Sequence, residues 1–254
     1  MHPDDKDAVA LSARGKRAVV ICTNHGTLDV GKPTGVFSSE MTVPYYLFLD
    51  AGMEVDVASP LGGTIPVEPQ SLKPVLRSAA DDRFLGDDVL RHHVGSSRSV
   101  SDLNAADYDI VFLAGGWGAA WDLGTSPAVA EFITAANKAG AVIGGICHGP
   151  LGLLGATAED GTPLVAGRRL TAVTDKQVRE LGIGQTPQHP ETELRKMGAV
   201  FESTTRFRDP LANHWVVDGN LVTGQNQNAG PMVAREMVQL VLAKADVAAA
   251  HAPK

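Results

Sequence analysis

Residues 141–150 read Ala-Val-Ile-Gly-Gly-Ile-Cys-His-Gly-Pro, an apolar run that ends in a cysteine between small residues. The run from Val142 to Ile146 has the length and β-branched content of a strand that is covered on both faces. Gly145-Ile-Cys-His-Gly149 then has the spacing of a nucleophile elbow, with Cys147 as the nucleophile, because flanking small residues permit the sharp turn. The alternative is a tight turn whose small residues only serve packing. The strand before the motif and Pro150 after it favour the elbow.

Further strand and helix patterns alternate along the chain. The strands are predicted at residues 18–23, 54–59 and 109–114, with a hairpin about Asp218-Gly-Asn220. The helices are predicted at residues 35–51, 127–140 and 231–244, the second with Ser126 as N-cap and Pro127 at its first position. This order predicts an α/β fold, a flavodoxin-like three-layer sandwich with a mostly parallel sheet and helices on both faces.

The same patterns divide the chain. We expect residues 1–15 to form a flexible N-terminal extension and residues 16–244 to form a single α/β domain. Residues 60–106 have weak periodicity and many charges, which predicts an insertion or flap within this domain. The Ala-rich residues 245–254 are expected to form a frayed tail.

Composition excludes several classes of partner. The 254 residues carry a net charge of −7, with 22 Lys+Arg against 29 Asp+Glu, so a nucleic-acid partner is not expected. No apolar stretch approaches the roughly 18 residues that a membrane span needs, and the amino end lacks the pattern of a signal peptide. We therefore expect a cytoplasmic protein without a membrane partner. No histidine or cysteine spacing indicates a metal site.

The two cysteines, Cys22 and Cys147, lie in separate apolar segments, so each is expected to be a free thiol in a reducing compartment. Cys22 lies in the middle of a predicted strand and is expected in the core. Cys147 precedes a predicted helix, whose N-terminus would favour a partly exposed thiolate of low pKa. His148 would offer its backbone N–H to an oxyanion, and its imidazole is either a base or a structural side chain.

Two further groups are candidates for the same site. Gly115-Gly116-Trp117-Gly118 ends the strand at 109–114, so it should lie near Cys147, where backbone N–H groups could bind an oxyanion. A simple turn is the alternative there. Glu40 stands in an otherwise apolar helix and, if buried near the thiol, would have a raised pKa and exchange protons with a substrate. Otherwise it is an ordinary acidic residue of a first helical turn.

Five segments resemble, in order, the ThiJ/PfpI superfamily with its class I glutamine amidotransferase-like fold, and within it the heat-shock glyoxalase III branch. They are Thr34-Gly-Val-Phe-Ser-Ser-Glu40, Ala58-Ser-Pro-Leu-Gly-Gly63, Leu113-Ala-Gly-Gly-Trp-Gly118 with Trp121-Asp122, Gly145-Ile-Cys-His-Gly-Pro150 and Asp218-Gly-Asn-Leu-Val-Thr-Gly-Gln-Asn226.

The resemblance implies a cofactor-free domain that forms a homodimer and has Glu40 as the acid/base partner of Cys147. The implied activity is glutathione-independent conversion of small carbonyls, 2-oxoaldehydes such as methylglyoxal, to 2-hydroxy acids. Related proteins act as protein deglycases, holding chaperones or oxidation sensors. A Cys-dependent hydrolase or hydratase of another small substrate is a further alternative.

The sequence departs from this branch at two positions. Trp117 stands where many relatives carry His after the glycines, which alters the wall of the pocket. The position from which relatives supply an acid to orient His148 falls on Val178, which has no carboxyl group. Asp175 and Glu180 are the nearby candidates for that acid.

Overall fold

A computed structural model describes residues 11–182, 185–205 and 207–250. Within these residues a seven-stranded sheet has the order β3-β2-β1-β4-β5-β9-β8, and a two-stranded sheet pairs β6 with β7. The strands are β1 (Arg17–Ile21), β2 (Glu54–Ser59), β3 (Arg98–Ser99), β4 (Ile110–Leu113), β5 (Val142–Ile146), β6 (Arg169–Leu170), β7 (Val200–Phe201), β8 (Trp215–Asp218) and β9 (Leu221–Gly224). Every pairing in the large sheet is parallel except that of β8 with β9.

Helices cover both faces of this sheet. They are α1 (Ser38–Asp50), α2 (Ala79–Gly86), α3 (Asp88–Gly95), α4 (Ala119–Asp122), α5 (Pro127–Lys138), α6 (Asp175–Glu180), α7 (Pro190–Lys196) and α8 (Gly230–Ala250). Short 3-10 helices lie at Val100–Asp102, Ala105–Asp107, Gly149–Leu153, Asp209–Leu211 and Gln227–Ala229. None of the described helices is both long and apolar enough to cross a membrane.

Neighbouring residues of the central strands point to opposite faces and fill two separate cores. Val20 and Phe112 pack with α1 and α8, whereas Ile21 and Leu113 pack with α5. Burial on both faces explains why these strands are apolar without alternation. The predicted α/β sandwich with a mostly parallel sheet is therefore confirmed.

The strand register brings three chain segments to one edge of the sheet. Ile21 at the end of β1 pairs with Leu113 at the end of β4, and Leu113 pairs with Gly145 near the end of β5. The segments that follow these strands therefore leave the sheet side by side, where parallel sheets form their binding sites.

Most of the predicted elements are confirmed. The strands at 54–59 and 142–146 and the hairpin of β8 and β9 are present, with Gly219 at φ 58° in the turn. Ser126 caps α5 by accepting from the Val129 N–H, and Pro127 is the first helical residue.

Several boundaries differ from those predicted. β1 ends at Ile21, and α1 begins at Ser38 because Gly35, at φ 152°, lies in a conformation that a helix does not adopt. A 3-10 helix follows Cys147 where an apolar helix was expected. α8 continues past Lys244 to Ala250. Of the expected terminal extension and tail, residues 1–10 and 251–254 lie outside the described residues.

The contact between α8 and β5 generates a prediction about stability. A Cβ atom at Gly144 would lie 2.5 Å from Met237 Sδ and 2.6 Å from the Val222 carbonyl oxygen, so Gly144→Ala overpacks the core. We expect this substitution to lower the free energy of unfolding by about 1–3 kcal/mol, measured by urea denaturation. Gly86→Ala is the control: a Cβ atom there meets nothing within 4 Å, and alanine favours the helix. Equal denaturation midpoints for Gly144→Ala and wild type would contradict this packing.

Candidate active site

Cys147 lies in a strained bend at the end of β5. Its φ of 59° is the one positive φ of a non-glycine residue in the described part of the chain. Holding a non-glycine residue there costs about 1–3 kcal/mol, which the surrounding structure must supply. The Cys147 N–H donates to the Gly224 carbonyl at 3.1 Å, and the Cys147 carbonyl accepts from the Val173 N–H at 3.0 Å. The bend has the geometry that the elbow motif predicts.

The small residues of the motif are required by close backbone contacts. A Cβ atom at Gly149 would lie 2.1 Å from the Leu113 carbonyl oxygen, and one at Gly145 would lie 2.9 Å from the same atom. The bend therefore packs directly on the end of β4, and side chains at these two positions would push it away.

Glu40 lies in the first turn of α1 and is 1% exposed. Its Oε2 atom reaches so close to Gly115 that a Cβ atom there would be 2.2 Å away. Burial raises the pKa of the Glu40 carboxyl to about 8, although the Cys147 thiol and the backbone N–H groups of Gly115 and Gly116 favour its charged form. Oε2 itself has no well-aligned hydrogen-bond partner among the described residues. The buried carboxyl is therefore protonated at neutral pH.

The Cys147 thiol differs from the expectation of a partly exposed group of low pKa. Cys147 is only 7% exposed, and burial followed by repulsion from the Glu40 carboxylate raises its pKa well above the usual range. The backbone N–H groups of Gly116 and His148 act in the opposite direction. The expectation was wrong because the elbow leads into the short 3-10 helix at Gly149–Leu153, whose dipole is weak beside the cost of burial. Cys22 is fully buried, as expected.

Cys147 and Glu40 form one titrating pair. Each group favours the proton because neither can be hydrated, and an ionised Glu40 makes ionisation of the thiol more costly. The resting site holds two neutral acids. A thiolate arises when the Cys147 proton leaves for an ionised Glu40 or for solvent.

His148 is fully buried, and its Nδ1 atom lies 3.4 Å from Cys147 Sγ. Burial, followed by the charge of His189, lowers the pKa of His148 to about 3. Its Nε2 atom is buried and has no hydrogen-bond partner within the described residues. The imidazole is thus neutral, and no carboxylate holds it as in a Cys-His-acid triad.

The two candidate orienting acids contact other groups. Asp175 Oδ2 accepts from Thr192 Oγ1 at 2.6 Å. Glu180 Oε2 accepts from the Asp209 N–H at 2.9 Å. The hypothesis that either orients His148 is corrected, because α6 turns both side chains toward α7 and the 3-10 helix at Asp209–Leu211. Val178, from the same helix, packs against Cys147 with Val173 and Trp117.

The segment Gly115–Gly118 wraps around the pair. Gly116 has φ 103°, and a Cβ atom there would lie 2.3 Å from the Phe37 N atom, so only glycine permits this approach to α1. Gly118 donates to the Gly35 carbonyl at 3.3 Å, and the half-buried Trp117 closes the apolar wall beside Cys147. The structure thus brings Glu40, Cys147, His148 and this glycine segment together.

Two contributions to the site were not predicted from the sequence. Val173 packs against Cys147 although nothing in its own segment indicates a site. Asp122 ties α4 to the segment after β1, accepting from Thr23 Oγ1 at 2.8 Å and from the Asn24 N–H at 2.7 Å. The signal for Asp122 was present, since an acidic residue follows the glycine segment, but its partners are distant in sequence.

The elbow at the carboxyl edge of the sheet, with a protonated carboxyl beside it, places the protein among α/β proteins built around a buried cysteine and its acid partner. A sequence profile of the DJ-1/PfpI family matches residues 30–240. The chain belongs to this family.

Individual relatives and structures agree with this assignment. "Glyoxalase 3" of Candida albicans is 28% identical over 82% of this chain and 90% of its own length. "Glutathione-independent glyoxalase hsp3101" of Schizosaccharomyces pombe is 26% identical over 91% of this chain and 96% of its own. The crystal structure of glyoxalase III from Candida albicans superposes with a TM-score of 0.80 at 25% identity, covering 89% of this chain and 97% of that one.

The coupling of Cys147 and Glu40 generates a prediction about thiol reactivity. In Glu40→Gln the negative charge and the hydrogen bond that disfavour the thiolate are both lost, so the pKa of Cys147 falls. We expect the pH midpoint of Cys147 alkylation by iodoacetamide, followed by intact mass, to decrease by about one unit or more. Cys147→Ser controls for labelling elsewhere, since Cys22 is fully buried. A midpoint that stays or rises would show that the two groups are not coupled.

Proposed function

We propose that the protein is a glutathione-independent glyoxalase that converts small 2-oxoaldehydes, such as methylglyoxal, to 2-hydroxy acids. The observation that carries this proposal is the Glu40 carboxyl, with a pKa of about 8, beside a cysteine held by an elbow. The reaction moves a proton between two adjacent carbon atoms, which requires one group that accepts and returns a proton near neutral pH. The names of the similar proteins support the same chemistry.

The first step joins Cys147 to the substrate. The ionised form of Glu40 takes the thiol proton, and Sγ adds to the aldehyde carbon. The electron pair of the carbonyl bond moves onto the oxygen, which the N–H groups of Gly116 and His148 can bind, because both already contact the sulfur. Glu40 then gives its proton to this oxygen, which forms a hemithioacetal and regenerates the carboxylate.

The second step is the proton shuttle. The Glu40 carboxylate takes the proton from the former aldehyde carbon, and the electron pair forms an enediol with the neighbouring carbonyl carbon. Return of the proton to that neighbouring carbon gives a 2-hydroxy thioester on Cys147. Water then cleaves the thioester, releasing the 2-hydroxy acid and restoring the thiol. No redox partner and no second thiol enter this balance.

The neutral His148 fits this scheme better than a hydrolytic triad. Its pKa of about 3 prevents it from forming an imidazolium that would stabilise a thiolate at neutral pH. We assign the proton transfers to Glu40 and the oxyanion contact to the His148 backbone. Trp117 and Val178 form an apolar wall that keeps water from the enediol.

We also propose that the protein acts as a cytoplasmic homodimer. Both cysteines are free, which fits a reducing compartment. Leu61 and Val75, in the segment at residues 60–106, are 81% and 83% exposed and would be covered by a second copy.

Turnover of methylglyoxal without glutathione, measured as lactate formed, tests the proposed activity. We expect Cys147→Ser to lose about 1,000-fold in kcat/KM and Glu40→Gln at least about 100-fold, because each removes a group that makes or breaks bonds. Cys22→Ala is the matched control and should retain turnover, since Cys22 lies in the core away from the elbow. Near wild-type turnover in either active-site variant would refute the mechanism.

Sedimentation equilibrium tests the assembly. We expect twice the monomer mass for the wild type, and a shift toward the monomer for Leu61→Asp with Val75→Asp, since burying the two carboxylates disfavours association. Lys73→Asp, an exposed charge change in the same segment, is the control. A monomeric wild type would exclude the homodimer.

A further inference from the structure

The turn of α1 that carries Glu40 is not held by its own N-cap residue. Phe37 occupies the N-cap and makes no side-chain hydrogen bond to the helix. The free N–H of Ser38 instead donates to Ser71 Oγ at 3.0 Å, and Ser71 Oγ donates to the Glu68 carbonyl at 2.6 Å. The segment at residues 60–106 therefore supplies the cap from outside the helix.

Asp81, in α2 of the same segment, makes a second and stronger attachment. It is fully buried, and its Oδ1 atom accepts from Ser38 Oγ at 2.6 Å and from Thr42 Oγ1 at 2.7 Å. Its Oδ2 atom accepts from the Ser78 N–H at 2.8 Å and from Ser78 Oγ at 2.7 Å. Four hydrogen bonds thus satisfy a carboxylate that would otherwise be costly to bury.

The two hydroxyl donors define a face of α1. Ser38 and Thr42 are four residues apart and lie on one face of the helix, whereas Glu40 is two residues from each and points the opposite way. Asp81 holds the back of the turn whose front presents the Glu40 carboxyl to Gly115 and Cys147. A rotation or translation of this turn would carry the carboxyl away from the sulfur.

We infer that Asp81 is a positioning residue for Glu40, and that it fixes the turn at residues 38–42 so that the Glu40 carboxyl stays buried against Cys147. The catalytic part of this inference rests on the proposed function, whereas the effect on the Cys147–Glu40 pair does not. Asp81 touches neither the thiol nor the substrate position in this scheme. It acts through Ser38 and Thr42.

Asp81→Asn tests this inference without requiring turnover. The substitution is nearly isosteric, but its amide nitrogen cannot accept the donors that now meet one of the carboxylate oxygens, so the turn loosens. Water then reaches the Glu40 carboxyl, the carboxyl moves from Sγ, and the thiol ionises more readily. We expect the pH midpoint of Cys147 alkylation to fall by about 0.5–1 unit, a smaller change than in Glu40→Gln.

The same substitution in a Glu40→Gln background separates positioning from general destabilisation. With the Glu40 charge already removed, Asp81→Asn should leave the alkylation midpoint unchanged. Tyr46→Phe is the matched control: it removes the hydrogen bond from Tyr46 Oη to Asp87 Oδ2 at 2.9 Å, which ties the same helix to the same segment beyond Glu40. This control should not move the midpoint. An equal shift in both backgrounds, or no shift with Glu40 present, would overturn the inference.

A second variant covers the case in which Asp81→Asn does not fold. Thr42→Val removes one of the four hydrogen bonds and should lower the midpoint in the same direction, and Thr42→Ser should restore it. An unchanged midpoint in a folded Thr42→Val variant would then overturn the inference. In turnover, a folded Asp81→Asn should lower kcat about tenfold with KM nearly unchanged, because substrate binding is retained. Absence of wild-type turnover together with the midpoint shift would refute the proposed function and leave the positioning role standing.

Discussion

The close packing of the Cys147 bend on the end of β4 is the constraint on which the site depends. The Leu113 carbonyl oxygen lies where a side chain on Gly149 would have to be, and Cys147 takes up a left-handed conformation beside it. Gly115 and Gly116 continue from the same strand and let Glu40 and Phe37 approach just as closely. Absence of side chains at a few positions thus brings a thiol, a carboxyl and two backbone donors into one small space.

Burial then determines the chemistry of the pair. In water a thiol and a carboxyl differ in pKa by several units, but here burial raises the pKa of Glu40 to about 8 and that of Cys147 well above its usual range. The carboxyl becomes a proton carrier for neutral pH, and the thiol ionises only when its proton has a place to go. His148, neutral and without an acid partner, leaves this role to Glu40. Val178 at the position of the missing acid makes the wall apolar.

The segment at residues 60–106 has a second consequence for the pair. Its periodicity is weak because it forms two short helices and a two-residue edge strand, each stabilised by contacts with α1 and β2. The pattern Ser78-x-x-Asp81 is visible in the sequence as a capping box, and the structure contains that box. The sequence does not reveal that the same carboxylate also binds Ser38 and Thr42, some forty residues earlier.

The sequence by itself determined the elements whose signals are local. The strands at 54–59 and 142–146, the cap and proline that begin α5, and the β8–β9 hairpin follow from neighbouring residues, and the elbow follows from glycines beside Cys147. Only the tertiary structure decided how acidic the thiol is, which way Glu40 points and what Asp175 and Glu180 contact. These properties depend on desolvation and on hydrogen bonds between segments far apart in the chain, and no local pattern records which surfaces will exclude water.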